Sequence, residues 1–310
     1  MLALRLKLER LAYPSRMRPL LLHPGLHKTA TTWLQTVPFQ DRSLFNSLLS
    51  HRQIDDLLVR PHEWDWRPTE AIAEIAHARS VEGGHLIDVL SSEILTGHPF
   101  FGSREAPLLA KRVREVVGEA KVLLTVRRQH EWIRSLYQQY IKRGGRLSFI
   151  DFVAGESEPQ YPSFAHLSLE FHRFTDEFAR HFGASNVLVL PQELLRQDIA
   201  HFFTLLSRFV GAGDIRPKPS WSQSVGGSPP PGSDWLLRWA STFQDKPLSR
   251  SSTVGGAKIG KQLERIAYRL PARHPNKLEL NLPVDRIRKS NVQLQVFCPV
   301  DLSQFGYDVS

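Results

Sequence analysis

The sequence predicts a three-layer α/β protein with a central parallel sheet and a mainly helical C-terminal cap. Short, almost wholly apolar runs recur along the chain, and segments with helical periodicity separate them. Parallel strands that are buried on both faces have this unbroken apolar character, and helices connect them. Beyond Gly213, prolines, serines and glycines become frequent, which indicates a change from core to cap. The predicted strands are residues 20–22, 85–90, 121–126 and 186–190.

The first strand and the helix after it are separated by a turn of small and polar residues. Pro24 and Gly25 end the strand, and a helix is expected from Thr31 to near Pro38, where proline removes a backbone donor. Residues 41–67 show no single periodicity, so we predict a mixed, mostly helical segment that forms one wall of a substrate pocket.

The later helices are predicted from apolar stripes that recur every three or four residues. Pro68 is typical of a helix start, and the pair Gly83-Gly84 ends that helix before the second strand. The other predicted helices are residues 104–119, 130–142, 148–153, 167–182, 192–210, 234–243 and 258–270. The remaining C-terminal residues carry only a weak pattern.

The predicted domain organisation is one domain over residues 19–310, preceded by a basic N-terminal arm of residues 1–18. The domain divides into an α/β core (19–211) and a loop-rich helical cap (212–310). A chain of 310 residues with 41% hydrophobic content is long enough to bury a sizeable core. Charged residues interrupt the arm, so it lacks the apolar centre of a signal peptide. A solvated extension and a basic arm that contacts a membrane both stay open.

The charge balance favours anionic ligands. Lys and Arg number 40 against 31 acidic residues, which gives a net charge of +9. Nucleic acid, an acidic membrane surface, an acidic polysaccharide and a polyphosphorylated cofactor fit this charge, and the scattered aromatics form no recognisable platform for nucleic acid. The single cysteine, Cys298, excludes an internal disulfide and is compatible with a reducing, cytoplasmic location. No apolar run approaches the ~20 residues of a membrane span, and the oligomeric state stays open.

The turn after the first strand has the composition of a phosphate cradle. A strand that passes through a small-residue loop into a helix presents unpaired backbone N–H groups to an anion, and Lys28 adds a positive charge. The turn is P-loop-like but departs from the Walker A pattern, which requires a second glycine directly before the lysine. The candidate anion-binding residues are Gly25, His27, Lys28, Thr29, Ala30, Thr31 and Thr32.

A second candidate anion site follows the strand 121–126. Arg127 comes directly after this strand, at the position where open α/β sheets bind ligands. Its planar guanidinium can bind a phosphate through two donors, and Ser135, about two turns into the next helix, can donate from a fixed direction.

The run Lys-Thr-Ala-Thr-Thr at 28–32 resembles the Lys-Ser/Thr-Gly-Thr-Thr loop of sulfotransferases that use 3′-phosphoadenosine 5′-phosphosulfate (PAPS). In that family the loop holds the 5′-phosphosulfate, and an Arg and a Ser at the spacing of Arg127 and Ser135 grip the 3′-phosphate. Ala30 stands where the family usually has glycine, and a positive φ there would cost about 1 kcal/mol. The resemblance covers residues 20–211 and implies a sulfotransferase that uses PAPS and needs no metal.

The resemblance also implies a general base after the second strand. Polysaccharide-type members supply a glutamate from the segment that contains Glu93, whereas small-molecule members supply a histidine, for which His98 is the second candidate. The base accepts the proton of an attacking hydroxyl or amine, and Lys28 stabilises charge on the leaving oxygen. The expected acceptor is a carbohydrate, a glycolipid or another small molecule.

Two alternative functions stay open from the sequence. A Mg²⁺-dependent P-loop kinase-like phosphotransferase would use Lys28 with Asp88 as the metal-binding acid. Asp88, however, lies among apolar strand residues, as a structural carboxylate would. A basic module for nucleic acid or anionic lipid is the non-enzymatic alternative, and it predicts binding with a steep salt dependence.

Overall fold

Five parallel strands form one central sheet. The computed structural model describes residues 18–81, 86–155, 163–222, 229–230, 232–244, 246, 256–270 and 282–310. Within these residues the strands are β1 (Leu20–His23), β2 (Phe45–Ser47), β3 (Ile87–Ser91), β4 (Lys121–Val126) and β5 (Val187–Pro191). They lie in the order β2-β3-β1-β4-β5, and every neighbouring pair is parallel.

The register brings the carboxyl ends of β3, β1 and β4 to one edge of the sheet. His23 lies opposite Ser91 in β3, and Leu22 lies opposite Val122 in β4. Every residue of β1, β3 and β5 is buried, although alternate side chains of a strand point to opposite faces. Both faces of the sheet are therefore covered, which confirms the predicted three-layer α/β class.

Helices cover the sheet and extend into the C-terminal part of the chain. In the described residues the helices are α1 (Thr31–Thr36), α2 (His51–Ile54), α3 (Pro68–Ser80), α4 (Ala106–Val117), α5 (Gln129–Lys142), α6 (Phe149–Ala154), α7 (His172–Phe182), α8 (Gln192–Gln197), α9 (Ile199–Val210), α10 (Asp234–Thr242), α11 (Ala257–Ala267) and α12 (Val284–Gln295). Helix α4 packs beside α3 and α7, and α12 contacts α7. Helix α10 contacts both α5 and α11.

The mixed segment 41–67 contains a strand that the sequence analysis missed. It is mostly helical, as predicted, with α2, one π-helical turn at Asp55–Val59 and a 3₁₀ turn at Glu63–Asp65. The prediction omits β2, which has three residues at the edge of the sheet, of which only Phe45 is fully buried. A strand this short shows no periodicity.

Two predicted helices are interrupted in the structure. Asp198 has extended backbone and its carboxylate accepts a bond from the N–H of His201 over 2.8 Å, so the predicted helix 192–210 is two helices. The prediction of one helix over 167–182 is wrong in its first part. There a 3₁₀ turn (His166–Leu169) is followed by Glu170, which is outside the helix and forms ion pairs with Arg173 and Arg286.

The C-terminal residues form more regular structure than their pattern indicates. Helix α12 and a 3₁₀ turn at Leu302–Phe305 pack against the core, and the N–H of Val189 in β5 donates to the carbonyl of Phe297. Most of the predicted basic arm, the Gly83-Gly84 pair and His85 lie outside the described residues. In the part of the chain that is described, no helix is both long enough and apolar enough to cross a membrane.

Candidate functional site

Three of the predicted site segments leave the same edge of the sheet. The loop that begins at Pro24 follows β1, Glu93 follows β3, and Arg127 follows β4. Because these strands are parallel neighbours, their carboxyl ends bring the segments together. An Nη1 donor of Arg127 makes a long bond of 3.5 Å to the backbone carbonyl of Lys28, so the loop and the later strand end meet.

The loop after β1 contains three residues with left-handed backbone. Gly25 has φ 46°, Lys28 66° and Ala30 65°. A Cβ atom on Gly25 would lie 2.6 Å from the Cγ2 of Thr31 and 3.0 Å from the Nε2 of His23, so only glycine fits there. Ala30 therefore has a positive φ, and this conformation costs about 1 kcal/mol relative to glycine at the same position.

The loop offers a row of backbone donors. No acceptor among the described residues takes a hydrogen bond from the backbone N–H groups of residues 28–32, whereas the N–H of Leu26 donates to Thr125 and that of Leu34 to Ala30. Left-handed residues within a turn make successive N–H groups converge, and such concavities bind anions. Helix α1 has only six residues, so the cradle is a property of the loop's backbone.

Buried side chains hold the loop on the strand ends. His23 lies with its Nδ1 2.7 Å from the Ser91 hydroxyl and its Nε2 3.3 Å from the Thr125 hydroxyl. The hydroxyl of Thr29 is 2.8 Å from that of Thr125 and donates to the carbonyl of Leu26 over 2.5 Å. Burial lowers the pKa of His23 to about 4, so the ring is neutral at physiological pH. The Thr29 hydroxyl is therefore engaged within the protein, and its backbone N–H is the group that remains for an anion.

The remaining loop hydroxyls differ in accessibility. Thr31 is buried against Gly25 at the start of α1, and Thr32 is exposed. The carbonyl of Thr32 accepts a bond from the Thr36 hydroxyl. Their roles in anion binding stay predictions.

His27 is fixed at both its backbone and its ring. The indole N–H of Trp132, on α5, donates to the His27 carbonyl over 2.6 Å. The Nε2 atom of His27 lies 3.2 Å from the Gly97 carbonyl. The imidazole therefore donates from Nε2. Burial lowers its pKa to about 4, although Glu93 opposes the shift. The ring also lies 6.0 Å, centroid to centroid, from that of His98.

His98 is enclosed by aromatic rings. Its ring lies 4.8 Å from Phe100 and 4.9 Å from Phe101, and its buried Nδ1 has no hydrogen-bond partner among the described residues. Burial lowers the pKa of His98, the charge of Arg143 lowers it further, and Glu105 opposes both. His98 is therefore neutral at physiological pH. Its neighbour among the candidate site residues is His27.

The Lys28 ammonium lies in a positive environment. Burial lowers its pKa, and the charges of Lys142 and Arg127 lower it further, while Glu93 acts in the opposite direction. Lys142 is the last residue of α5, and its ammonium contacts the ring and hydroxyl of Tyr268. Cations that are held near one another repel unless an anion lies among them, so this cluster favours an anionic ligand.

Glu93 is largely buried beside the loop. The side-chain amide of Gln35, on α1, donates to its Oε2 over 3.0 Å. Burial raises the pKa of Glu93, but His27 and the bond from Gln35 outweigh this effect, and the net pKa lies below the usual value of 4.5. The carboxylate is therefore ionised at neutral pH and is able to accept a proton.

Arg127 is incompletely satisfied. Its side chain is 14% exposed, its contact to Glu131 is 3.5 Å long, and its buried Nε has no acceptor among the described residues. An unpaired buried guanidinium nitrogen is costly unless a ligand pairs with it. Ser135 lies buried on α5, the helix that follows this turn, and its predicted role beside Arg127 stays a prediction.

The C-terminal residues brace the turn that carries Arg127. Gln129 donates to the side chain of Asn291 over 2.7 Å. Glu193 accepts bonds from the backbone N–H of Arg128 over 3.2 Å and from the hydroxyl of Tyr307 over 3.1 Å. These contacts fix the start of α5, and they join residues more than sixty positions apart.

Several of these residues were missed by sequence reasoning. His23 follows an apolar run and resembles a core residue, and Gln35 and Lys142 carry no motif. A polar ring at the end of a buried strand was the available signal for His23. For the others, only the packing of α1 and α5 against the loop brings them to the site.

Comparison with known proteins gives structural matches only. No protein-family model matches the chain, and no curated protein does. Among solved structures, a sulfotransferase from Alicyclobacillus acidocaldarius is 16% identical with a TM-score of 0.47, covering 82% of this chain and 97% of its own. Mouse sulfotransferase SULT7A1 complexed with PAP is 13% identical with a TM-score of 0.40, covering 92% of this chain and 88% of its own. The sulfotransferase domain from the curacin biosynthetic pathway is 14% identical with a TM-score of 0.42, covering 92% and 100%.

Proposed function

We propose that the protein is a sulfotransferase that transfers a sulfuryl group from PAPS to a hydroxyl or amine. The observation that carries this proposal is the meeting of the β1 loop and the β4 strand end, where Arg127 donates to the carbonyl of Lys28. This contact supports the proposal that the two segments bind the two anionic ends of one nucleotide.

The unsatisfied groups of the site fit this donor. The free N–H groups of residues 28–32 suit the 5′-phosphosulfate, and the orphaned Nε of Arg127 suits the 3′-phosphate. When bound, PAPS supplies an activated sulfuryl group with adenosine 3′,5′-bisphosphate as the leaving group. The chain's own residues hold the two ends and neutralise their charge.

Glu93 and Lys28 have complementary tasks in this proposal. The ionised Glu93 carboxylate accepts the proton that the attacking hydroxyl or amine loses. The Lys28 ammonium stabilises the negative charge that develops on the oxygen of the departing phosphate. His98 is the second candidate base, since it is neutral and lies beside His27.

The acceptor is proposed by chemical class. A carbohydrate, a glycolipid or another small molecule with a hydroxyl or amine is compatible with a carboxylate base flanked by cations. Transfer of label from PAPS to a panel of such acceptors identifies the substrate.

The kinase-like alternative is not favoured by the surroundings of Asp88. Its carboxylate accepts from Arg18 over 2.9 Å, from Arg79 over 3.1 Å and from Asn46 over 2.8 Å. The acid that this alternative needs for Mg²⁺ is therefore already saturated by protein donors, as expected of a structural carboxylate.

Calorimetric titration in the presence of a chelator tests the donor assignment. Adenosine 3′,5′-bisphosphate should bind more tightly than 5′-AMP. Arg127→Ala should lose about tenfold to a hundredfold in affinity for the bisphosphate only, because a charge-assisted bond contributes about 1.5–3 kcal/mol. Arg134→Ala is the matched control, since Arg134 lies on α5, the helix that follows Arg127, and packs over Phe149. Equal affinity for the two nucleotides would remove the 3′-phosphate site and, with it, the proposal.

A further inference from the structure

Two helices of the C-terminal region expose large apolar side chains. On α10, Trp235 is 62% exposed and Trp239 52%. On α11, Ile259 is 53% exposed and Ile266 43%. We call these four residues the Trp-Ile face. Exposure of two tryptophans one helical turn apart is costly in water and indicates a surface that is covered in use.

The two helices that carry the Trp-Ile face pack against each other. The Trp239 ring lies 5.8 Å from that of Phe243, and a Cβ on Gly256 would lie 3.1 Å from the Phe243 ring. A Cβ on Gly260 would lie 2.8 Å from the carbonyl of Ala240, so the two helices are in close contact there. Helix α11 therefore begins against the end of α10, and both exposed pairs belong to one packed pair of helices.

The Trp-Ile face points away from the core. Gly260 and Ala267 are buried and mark the inner side of α11, whereas Tyr268, which follows the helix and is 42% exposed, contacts Lys142 of α5. Ile259 and Ile266 are seven residues apart and share one side of the helix. Tyr268 comes two residues after Ile266, which places it about 200° around the axis. Asp234, which accepts from Gln138 of α5, likewise fixes the inner side of α10.

Basic residues border the isoleucines of this face on one side. Lys258 and Arg265 each directly precede one of the isoleucines, and Arg269 comes three residues after Ile266; all three are exposed. The exposed Lys261 comes two residues after Ile259 and lies about 200° away around the axis. The acid within α11 is Glu264, which is partly buried and 3.9 Å from Lys246. The same face of a second copy would present the same positive charges, so self-association through it is opposed by repulsion.

We propose that the Trp-Ile face and its cationic border bind an anionic lipid bilayer. Tryptophan rings prefer the interface between headgroups and hydrocarbon, and basic amphipathic helices lie in that plane with their apolar side inserted. The positive border complements the negative surface of a membrane that contains acidic lipid. Helix α11 then touches the bilayer with one side and the residues beside Lys28 with the other. The inference does not depend on the sulfotransferase proposal.

Sedimentation with phosphatidylcholine vesicles, with and without phosphatidylserine, tests the proposal on the full chain. Binding is expected only to the vesicles that contain phosphatidylserine. Replacing Lys258, Arg265 and Arg269 together by Gln should weaken it on the order of a hundredfold, since each cation near the surface contributes about fivefold. Trp235→Ser with Trp239→Ser should weaken binding by about tenfold or more.

A charge-matched control distinguishes binding through the Trp-Ile face from nonspecific electrostatic attraction between a basic protein and acidic vesicles. Replacing Arg42, Lys111 and Arg208 by Gln removes the same charge from exposed positions elsewhere and should leave most of the binding intact. All these substitutions are at exposed positions, and circular dichroism checks that each variant is folded. The proposal is overturned by absence of vesicle binding, by equal losses in both triple variants, or by a dimer in light scattering that the tryptophan variant converts to monomer.

Discussion

The two ends of the central sheet use the same kinds of charged residue in opposite ways. At the amino end, Asp88 is 2% exposed in its side chain, and two arginines and an asparagine saturate it. At the carboxyl end, Arg127 has a buried nitrogen without an acceptor among the described residues, and Lys28 lies near other cations. The first cluster is complete within the protein. The second would be completed by an added anion on the proposed function.

On the proposed function, this difference separates charges that stabilise the fold from charges that would bind a ligand. A buried ion pair offsets its own desolvation cost only when its hydrogen bonds are fully made. Where they are not, the fold tolerates the cost and a ligand of the right charge recovers it. Four substitutions, taken from the largest expected effect to the smallest, test whether the two ends behave in this way.

Glu93→Gln should lower kcat by about a hundredfold to ten-thousandfold, because it removes the proposed base and keeps the side chain's shape. The pKa of Glu93 is below 4.5, so the wild-type rate should hold as pH falls from neutral and decline only as pH drops through that lower value. A pH–rate profile of both proteins checks this. If His98→Asn abolishes the rate and Glu93→Gln does not, the roles are reversed.

Lys28→Asn should lower kcat by about a hundredfold to a thousandfold, since it removes a cation placed at the leaving oxygen. Asparagine is chosen because it tolerates the left-handed backbone at this position better than alanine does. Steady-state kinetics with PAPS and an identified acceptor measures the effect. Lys111→Asn, at an exposed site on α4, is the control, and equal rates for Lys28→Asn and the wild type would remove Lys28 from catalysis.

Asp88→Ala should lower the free energy of unfolding by about 3 kcal/mol, because two largely buried arginines lose their shared partner. Chemical denaturation measures it, and nucleotide affinity of the folded protein should be unchanged. Asp55→Ala, which breaks the exposed pair with Arg60, should cost about 0–1 kcal/mol. A loss of nucleotide binding in folded Asp88→Ala would mean that the two ends of the sheet are not independent.

Ala30→Gly should raise the free energy of unfolding by about 1 kcal/mol, since glycine adopts the left-handed conformation without strain. Ala73→Gly, at an exposed position inside α3, should have the opposite sign and lower it by about 1 kcal/mol. Chemical denaturation of both variants and the wild type in the same buffer measures the two changes in the free energy of unfolding. Destabilisation by both substitutions would show that the loop at Ala30 carries no backbone strain.

Much of the site's position was predictable because it depends on local pattern. A buried strand that ends at a glycine and continues into a helix specifies the loop after β1, and the same logic places Arg127 after β4. The edge strand β2 was not predictable in this way, because it depends on pairing with the distant strand β3. The interruption at Asp198 rests on a local bond to the N–H of His201, and the apolar periodicity does not record it.

The sequence by itself determined the fold class, the succession of four strands along the chain and the residue types at their carboxyl ends. Those features follow from the spacing of apolar residues, which fixes local structure and the faces that must be buried. Only the tertiary structure decided that Asp88 is saturated while Arg127 is not, that Glu93 lies beside Gln35 and His27, and that Asn291 braces the turn after β4. Whether a charge is paired depends on side chains brought together from far along the chain, and spacing in sequence does not encode that distance.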